Sequence, residues 1–195
     1  SGPSGSGKTT LSERILKKLK NGIILNTDNY YRTGIISRIF SKIVDSYFDR
    51  KLSFNSRMFK RDLKFIIENQ YSNFYYKYDF KNQSIKKIYK KTKNIQYIIV
   101  EGIFGKEILE TFSDSCCILI NLKTNKQTCI KRVIKRDCKE RGKSKNLAKK
   151  DFIKAWILFR ENKKKYNSIN YLKTFVIRNQ NEIDLILKEI TNAMN

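Results

Sequence analysis

The first ten residues, "SGPSGSGKTT", constrain the fold of this chain more than any other stretch. They match the pattern G-x-x-x-x-G-K-[ST] at Gly2, Gly7, Lys8 and Thr9. In such a loop backbone N–H groups surround a phosphate, and the N-terminus of the following helix adds partial positive charge. We expect Lys8 to reach the β- and γ-phosphates of a nucleoside triphosphate and Thr9 to ligate Mg²⁺. The residues expected to bind the nucleotide are Gly2, Ser4, Gly5, Ser6, Gly7, Lys8, Thr9 and Thr10.

A phosphate-binding loop of this kind normally follows a buried strand. The loop begins here at residue 2, with only Ser1 ahead of it. We therefore expect that the first strand of the sheet is missing from this sequence. With that strand absent, residues 1–195 are expected to form one domain, since a chain of this length supports a single continuous core.

Beyond the loop, short apolar runs alternate with segments of helical periodicity. The apolar runs that predict buried strands are 23–25, 97–100, 116–122 and 173–177, and the aromatic stretch 71–80 also reads as a strand. The segments predicted to be helical are 9–20, most of 35–70, 127–143, 151–165 and 182–194. Such alternation predicts a mainly parallel sheet covered by helices on both faces. The expected fold class is therefore α/β, a three-layer α/β/α sandwich like that of the P-loop NTPases.

Two carboxylates follow predicted strands at the edge where ligands bind in parallel sheets. Asp28 comes shortly after the run 23–25, and Glu101 directly ends the run 97–100. Asp28 could take a proton from an attacking hydroxyl or help to hold Mg²⁺, whereas the alternative is a turn or helix-capping role. Glu101 resembles the acidic end of a Walker B strand, with a structural contact to Lys8 or Thr9 as its alternative. The predicted metal environment is thus Thr9, Asp28 and Glu101.

The segment "RVIKRDCKERGK" gathers cations at helical and near-helical spacings. They are Arg132, Arg136, Arg141 and Lys143. A helical lid carrying arginines can close over a triphosphate, neutralise its charge and exclude water. The alternative interpretation is a solvated basic helix, and the clustering favours the lid.

The net charge of +24 arises from 42 Lys and Arg against 18 Asp and Glu. Nucleic-acid binding is one interpretation, and an anion-handling protein of biased composition is the other. The lysines are spread along the chain, which favours the second. The same choice arises for residues 71–91, where aromatics and lysines interleave. They indicate either a nucleic-acid surface or, as we favour, a hairpin that covers a substrate pocket.

Histidine is absent from the chain, which excludes Ser–His and Cys–His catalysis and imidazole metal sites. The four cysteines follow no metal-ligand spacing, so we expect reduced thiols and a cytoplasmic protein. No run approaches the roughly 18 apolar residues of a membrane span, and no association with a membrane is expected.

The stretches "GPSGSGKTT", "TDNYYR", "YDF", "IIVEGI" and "RDCKERGK" resemble, in order and rough spacing, those of uridine–cytidine kinases. These enzymes form part of the uridine kinase and phosphoribulokinase group of P-loop kinases, and the resemblance covers nearly the whole chain. It implies a substrate-binding insertion, a helical lid and possible homo-oligomers. It also implies phosphoryl transfer from ATP or GTP with Mg²⁺ to the 5′-hydroxyl of uridine or cytidine, giving UMP or CMP in pyrimidine salvage.

The resemblance also implies roles for particular residues. Asp28 would be the catalytic base, assisted by Lys8, Arg136 and Arg141, while Tyr31 and Tyr78 would line the pocket for the base.

The sequence departs from the family at three of the implied substrate positions. Gln83 stands where the family has a histidine that contacts the pyrimidine, and Lys143 replaces a usual lid arginine, losing the bidentate fork. The ribose-binding acid is either Asp49 or absent. A related kinase of pantothenate, nicotinamide riboside or a sugar phosphate would show the same departures, as would a protein that binds nucleotide without transfer.

Overall fold

The computed structural model describes residues 1–80, 82–105, 108, 117–165, 173–178 and 181–194. Its strands are β1 Gly22–Asn26, β2 Ser72–Asp79, β3 Ser84–Thr92, β4 Tyr97–Glu101, β5 Ile118–Leu122 and β6 Lys173–Ile177. Its helices are α1 Lys8–Leu19, α2 Ile35–Ile43, α3 Ser56–Asn69, α4 Lys126–Arg141, α5 Lys145–Lys165 and α6 Asn181–Met194. Single 3-10 turns cover Thr27–Tyr30, Tyr47–Asp49 and Lys51–Ser53. Of the predicted strand 116–122, residue 116 lies outside the described residues.

The strands pair as the alternating pattern predicts. β1 and β4 run parallel with Asn26 opposite Glu101, and β5 and β6 run parallel with Leu122 opposite Ile177. β2 and β3 form an antiparallel hairpin in which Tyr78 lies opposite Ile85. The parallel α/β expectation is confirmed, and residues 72–92 form a hairpin, whose role as the cover of a substrate pocket stays a prediction.

Alternate residues of the central strands face two different cores, which gives the three layers. Ile98 and Val100 of β4 pack into the core formed with α3 and the hairpin, where Phe59 is fully buried. Ile99, between them, faces the second core, which α1, α6, β5 and β6 complete. Since successive side chains of a strand point to opposite faces, apolar residues at every position of β4 require cover on both sides.

A third, smaller core joins the two helices of the predicted lid. Cys129 and Val133 of α4 pack against Phe152 of α5, and all three are buried. The Asn125 side chain accepts the Thr128 amide at 2.7 Å and so caps the start of α4. The helices α4 and α5 therefore form one rigid unit with its own apolar seam.

Residues 35–70 were predicted to be mostly helical, and the structure divides them. α2 and α3 are separated by the two 3-10 turns, which bury Tyr47 and Phe54. Tyr31 forms an isolated antiparallel bridge with Phe54, so this segment folds back across the region after β1. Helix α5 also starts earlier than predicted, because Ser144 Oγ accepts the Leu147 amide at 3.3 Å and caps it.

An apolar cavity of about 280 Å³ separates β4 from β5 beneath α1. Ile99, Leu119 and Ile15 contribute to its walls. At one end Ser1 pairs with β5, where its amino group donates to Ile120 O at 2.6 Å and its carbonyl accepts from the Leu122 amide at 2.8 Å. Within the described ranges, no strand lies between β4 and β5. As for membranes, the described helices include none with the length and apolar content that a crossing requires.

Candidate active site

The phosphate-binding loop adopts a conformation that its glycines make possible. Gly5 and Gly7 have φ of 78° and 98°, in the left-handed region that other residues rarely adopt. A Cβ at Gly5 would lie 2.6 Å from Cys129 O, so the loop packs directly against the backbone of α4. The loop is thus held between the start of α1 and the lid helix.

Helix α1 begins with its amides directed at the loop. Gly7 occupies the N-cap position and provides no side-chain cap, so the first-turn N–H groups are available to an anion. Lys8 Nζ donates to Gly2 O at 3.0 Å and Pro3 O at 2.9 Å, which folds its ammonium across the loop. Desolvation there lowers the pKa of Lys8, while Glu101 and Asp28 act in the opposite direction.

The parallel register of β1 and β4 brings the two predicted carboxylates to one edge. Glu101 ends β4 opposite Asn26, and its carboxylate accepts from Asn26 Nδ2 at 2.6 Å and from Thr9 Oγ1 at 3.1 Å. Asp28 lies two residues beyond β1, where its amide donates to Asn26 Oδ1 at 2.7 Å. Burial raises the pKa of Glu101, and the nearby Lys8 ammonium opposes that shift.

These residues fit a magnesium ion in their chemistry. Thr9, Asp28 and Glu101 line one cavity with the phosphate-binding loop, and hydroxyl and carboxylate oxygens are the ligands that Mg²⁺ prefers. No group of three or more acidic, cysteine or histidine residues suited to a metal occurs among the described residues. Mg²⁺ in phosphoryl-transfer sites commonly takes one or two carboxylates and completes its shell with phosphate and water.

Two cavities meet beside Asp28. The first, of about 520 Å³, is lined by the phosphate-binding loop and is hereafter the donor cavity. The second, of about 370 Å³, lies between the 3-10 turns and the lid helices and is hereafter the acceptor cavity. Residues that line both are Ser4, Asp28, Ile103, Val133 and Arg136. A group bound in one cavity therefore reaches a group bound in the other at Asp28.

Aromatic rings form one side of the acceptor cavity. Tyr31, Phe48 and Phe80 line it and meet edge to face, with centroids 5.1 to 6.0 Å apart. Tyr78 packs against the same three rings behind them, is 5% exposed and does not line the cavity. Its hydroxyl has no hydrogen-bond partner in the described part of the chain, and burial raises the pKa of Tyr78 to about 12. Tyr31 does have a partner, because its hydroxyl donates to Asp28 Oδ1 at 3.3 Å.

Gln83 lies one hydrogen bond away from the acceptor cavity. Its Nε2 donates to Ser41 Oγ at 3.1 Å, and Ser41 lines the cavity whereas Gln83 does not. The structure thus places Gln83 beside α2, close to the position predicted for it but behind another side chain.

Asp49 lines the acceptor cavity, and the pKa of its carboxyl group is raised. Burial, followed by the negative charge of Asp28, raises the pKa of Asp49 to about 6, and Arg141 opposes the shift. The structure therefore places this candidate ribose-binding acid near Asp28, although its spacing in the sequence left its presence open.

The lid cations lie at the edges of both cavities. Arg132 Nη1 donates to Gly5 O at 3.4 Å in the loop, and Arg136 stands on the shared wall. Arg141 and Lys143 line the acceptor cavity, where the Arg141 guanidinium covers the Phe80 ring at 3.9 Å. Arg136, Arg141 and Lys143 are only partly exposed, whereas Arg132 is exposed beside the loop.

Two residues that sequence reasoning missed support the predicted ones. Asn26 links Glu101 to the Asp28 backbone, and Asp137 contacts the lid cations. Asn26 was foreseeable, since it ends the apolar run of β1 just as Glu101 ends that of β4. Asp137 carried no comparable signal among so many charged neighbours.

Two of the solved structures that resemble this chain are kinases by name. A protein described as a fructose transport system kinase, from Silicibacter, superposes with a TM-score of 0.63 at 16% identity and covers 90% of this chain and 86% of its own. A deoxyadenosine kinase from M. mycoides superposes with a TM-score of 0.50 at 18% identity, covering 97% and 96%. At such identities the likeness concerns the fold, which is that of the P-loop kinases.

Sequence comparison is more specific. A uridine kinase of Borrelia duttonii is 32% identical over 146 residues, covering 74% of this chain and 68% of its own length. A uridine kinase of Staphylococcus haemolyticus is 32% identical over 146 residues, covering 73% and 69%. The family model described as the phosphoribulokinase/uridine kinase family matches residues 1–189.

The family match and the uridine kinase relatives, together with the fold, define a small-molecule kinase of the P-loop class. Within that class, the chain belongs to the phosphoribulokinase/uridine kinase family.

Proposed function

We propose that this protein is an ATP-dependent nucleoside kinase that phosphorylates the 5′-hydroxyl of uridine or cytidine to UMP or CMP in pyrimidine salvage. The observation that carries the proposal is the position of Asp28 in the wall shared by the donor and acceptor cavities. A carboxylate at that point can receive the proton of an acceptor hydroxyl as a phosphoryl group arrives from the other side. The names of the uridine kinase relatives supply the acceptor class.

The donor side follows from the loop. Its N–H groups and Lys8 would hold the phosphates of ATP or GTP, with Thr9, Asp28 and Glu101 around Mg²⁺. When bound there, Mg²⁺ neutralises charge on the β- and γ-phosphates. Arg136, on the shared wall, adds a fixed positive charge where the phosphoryl group moves.

On the acceptor side, Asp28 takes the proton of the attacking hydroxyl. The Tyr31 hydroxyl, which donates to Asp28 Oδ1, fixes the orientation of the carboxylate. Positioning of the hydroxyl by the cavity walls supplies the rest of the rate, because phosphoryl transfer depends mainly on alignment and charge.

The nucleoside would be recognised by rings and polar groups together. Tyr31, Phe48 and Phe80 offer apolar faces to a pyrimidine, and Asp49 accepts hydrogen bonds from ribose hydroxyls. Gln83 and Tyr78 contribute from behind these groups, Gln83 through Ser41 and Tyr78 by packing on the rings. Lys143 completes the rim near Asp49.

A second candidate is a related kinase with another acceptor, such as pantothenate, nicotinamide riboside or a sugar phosphate. The cavity bears on the sugar phosphate alone, because only that acceptor carries its own phosphate, for which Lys42, Arg141 and Lys143 in the lining would be partners. The roles of Asp28 and of the donor cavity would be unchanged.

A nucleic-acid-binding protein is the third candidate, and the hairpin is its basis. Lys77 and Lys86 lie directly opposite each other on β2 and β3, and Tyr75 and Tyr89 are exposed nearby. Like charges in that position repel, and a polyanion would relieve the repulsion. Steep loss of RNA binding with rising salt would favour this candidate over a kinase.

The deciding experiment is ADP release from Mg-ATP with each acceptor offered separately. Uridine, cytidine, pantothenate, nicotinamide riboside and a sugar phosphate would be compared, using the wild type, Asp28→Asn and the exposed control Asp184→Asn. We expect turnover on a pyrimidine nucleoside, a loss of about 10²- to 10⁴-fold in Asp28→Asn and no loss in the control. Turnover on another acceptor would assign a different substrate to the same mechanism. ATP binding without any turnover would refute the kinase proposal.

Cellular setting and assembly are further proposals. The described cysteines 129 and 138 are free thiols, which supports a reducing, cytoplasmic setting. Helix α2 exposes Ile35, Ile36, Ile39 and Ile43, a face that supports pairing in a homo-oligomer. Light scattering of the wild type and of Ile39→Glu would test the assembly.

A further inference from the structure

Three cations of the lid converge on one buried carboxylate. Asp137 is 3% exposed, and its Oδ1 lies 2.8 Å from Arg136 Nη2, 2.9 Å from Arg136 Nε and 3.6 Å from Arg141 Nε. Lys143 Nζ lies 3.7 Å from Oδ2 of the same carboxylate and 2.7 Å from Asp151 Oδ2. Three of the lid cations, Arg136, Arg141 and Lys143, are therefore held by a carboxylate to which the sequence analysis gave no role.

The contacts of Arg136 require a specific side-chain conformation. Neighbouring residues on a helix do not face each other, so the Arg136 side chain bends back along α4 to reach Asp137. That conformation keeps the guanidinium on the wall shared by the donor and acceptor cavities. Without the carboxylate, a long flexible side chain would have no reason to remain there.

Arg141 is fixed from two sides. Its Nε faces Asp137, and its guanidinium carbon lies 3.9 Å above the Phe80 ring. Phe80 lines the acceptor cavity together with Arg141. The pair of contacts sets the distance between this cation and the aromatic side of the cavity.

The backbone carbonyl of Asp137 has a structural role that is separate from that of its side chain. Asp137 O accepts the amides of Gly142 and Lys143, and these bonds close the C-terminus of α4. They do not involve the carboxylate, so a substitution by asparagine preserves the end of the helix and removes only the negative charge. The electrostatic role of Asp137 can thus be tested apart from its structural role.

We propose that Asp137 is a positioning residue that holds the guanidinium group of Arg136 at the junction of the two cavities and that of Arg141 in the wall of the acceptor cavity. The inference rests on the proposed function, because the junction is where the phosphoryl group would move. The carboxylate offsets part of the positive charge until phosphate oxygens replace it as the partner of the arginines. Its contribution is then to the rate of transfer more than to the binding of the donor.

The test compares Asp137→Asn with Asp62→Asn. Asp62 is a matched control, since it is 8% exposed, pairs with its neighbour Arg61 at 3.0 Å and lines neither the donor nor the acceptor cavity. We expect Asp137→Asn to lower kcat by about 10- to 100-fold with an unchanged or lower KM for ATP, because misplacement by about 1 Å can cost 100-fold in rate. Asp62→Asn should keep kcat and lose only thermal stability.

Asp137→Glu separates charge from geometry. Glutamate restores the negative charge one methylene further out, so we expect it to recover part of the lost kcat. Equal kcat losses in the Asp137 and Asp62 variants, or a loss confined to KM, would overturn the proposal.

A second readout does not depend on turnover. NMR signals of the arginine Nε–H groups should show slow solvent exchange for Arg136 in the wild type and at least about 10-fold faster exchange in Asp137→Asn. Unchanged exchange would refute the holding role. If the wild type phosphorylates no acceptor but the exchange rates differ as expected, the proposed function fails and the holding role of Asp137 stands.

Discussion

Asn26 and Glu101 face each other at the ends of two parallel strands, with Asn26 Nδ2 only 2.6 Å from Glu101 Oε2. The side-chain oxygen of Asn26, Oδ1, accepts a hydrogen bond from the backbone N–H of Asp28 at 2.7 Å. One neutral side chain therefore holds both carboxylate-bearing segments, and its amide places a donor rather than a third negative charge beside them.

Replacing Asn26 with alanine should weaken both segments. Glu101 would lose a charge-assisted donor while buried, so we expect the free energy of unfolding to fall by about 1–3 kcal/mol. Urea titration measures this change. Asn73→Ala, at an exposed position of the hairpin, serves as the control and should be near neutral; equal losses in the two variants would contradict the assigned role of Asn26.

Gly102 should tolerate no side chain. A Cβ there would lie 1.8 Å from Thr27 Oγ1, and its φ of 133° disfavours other residues. We expect Gly102→Ala to cost about 3 kcal/mol or more, since strain and overpacking combine. Gly142 also has a left-handed φ, of 66°, but a Cβ there would meet open space. Gly142→Ala should therefore lower the free energy of unfolding by only about 1 kcal/mol. Thermal denaturation of both variants would show whether the contact with Thr27, rather than φ alone, sets the difference.

Loss of the hydroxyl group should have different effects at the two tyrosines of the ring cluster, on stability at Tyr78 and on kcat at Tyr31. Tyr78→Phe removes a buried hydroxyl that has no partner in the described residues, so stability should be unchanged or higher by up to about 1 kcal/mol. Tyr31→Phe removes the hydrogen bond to Asp28 and should reduce kcat by a few-fold. A large activity loss in Tyr78→Phe would show that its hydroxyl contacts the substrate.

Stability should depend on pH through Asp49. Its pKa of about 6 in the folded protein lies above that of the unfolded chain, so the folded state binds the proton more tightly. The resulting stabilisation is complete below about pH 4 and is lost as the pH rises through 6. The Asp49→Asn variant has no carboxyl to titrate and so does not lose this stabilisation. Its stability compared with that of the wild type should therefore increase by roughly 2 kcal/mol between pH 4.5 and pH 7.5, which is measured as a difference in Tm. Parallel Tm profiles for both proteins would contradict the raised pKa.

We propose that a strand ahead of Ser1 belongs in the cavity between β4 and β5. Most of the cavity walls are apolar side chains, and Ser1 already continues the hydrogen-bond pattern of β5. Fusing about six β-branched residues to Ser1 should pair both open strand edges and raise the Tm by at least about 4 °C. A fusion of equal length made of serine and asparagine is the control, and equal effects from the two would refute a strand in this place.

Much of the fold could be predicted because its signals are local. The phosphate-binding loop is a continuous motif, and the runs ending at Glu101 and near Asp28 show their burial in their composition. The second hairpin strand has little strand signal of its own, because "SIKKIYKKT" carries four lysines and becomes a strand only through its pairing with β2.

Placement within the candidate site was harder to predict. Tyr31 and Tyr78 look equivalent in the sequence, yet one lines the acceptor cavity and the other packs behind it. Asp49 acquires its surroundings, which include Asp28 and Arg141, from segments distant in the chain. Such contacts depend on tertiary packing, which residue spacing does not encode.

The common wall of the two cavities has a consequence for inhibitor design. A molecule that joins a nucleoside to a polyphosphate through its 5′ oxygen could occupy both cavities at once, passing beside Asp28. Its second half would bind at the high effective concentration set by the linker, so its affinity should exceed that of either half by about 10²- to 10⁴-fold. The linker length giving the tightest binding would then serve as a ruler for the distance over which the phosphoryl group moves.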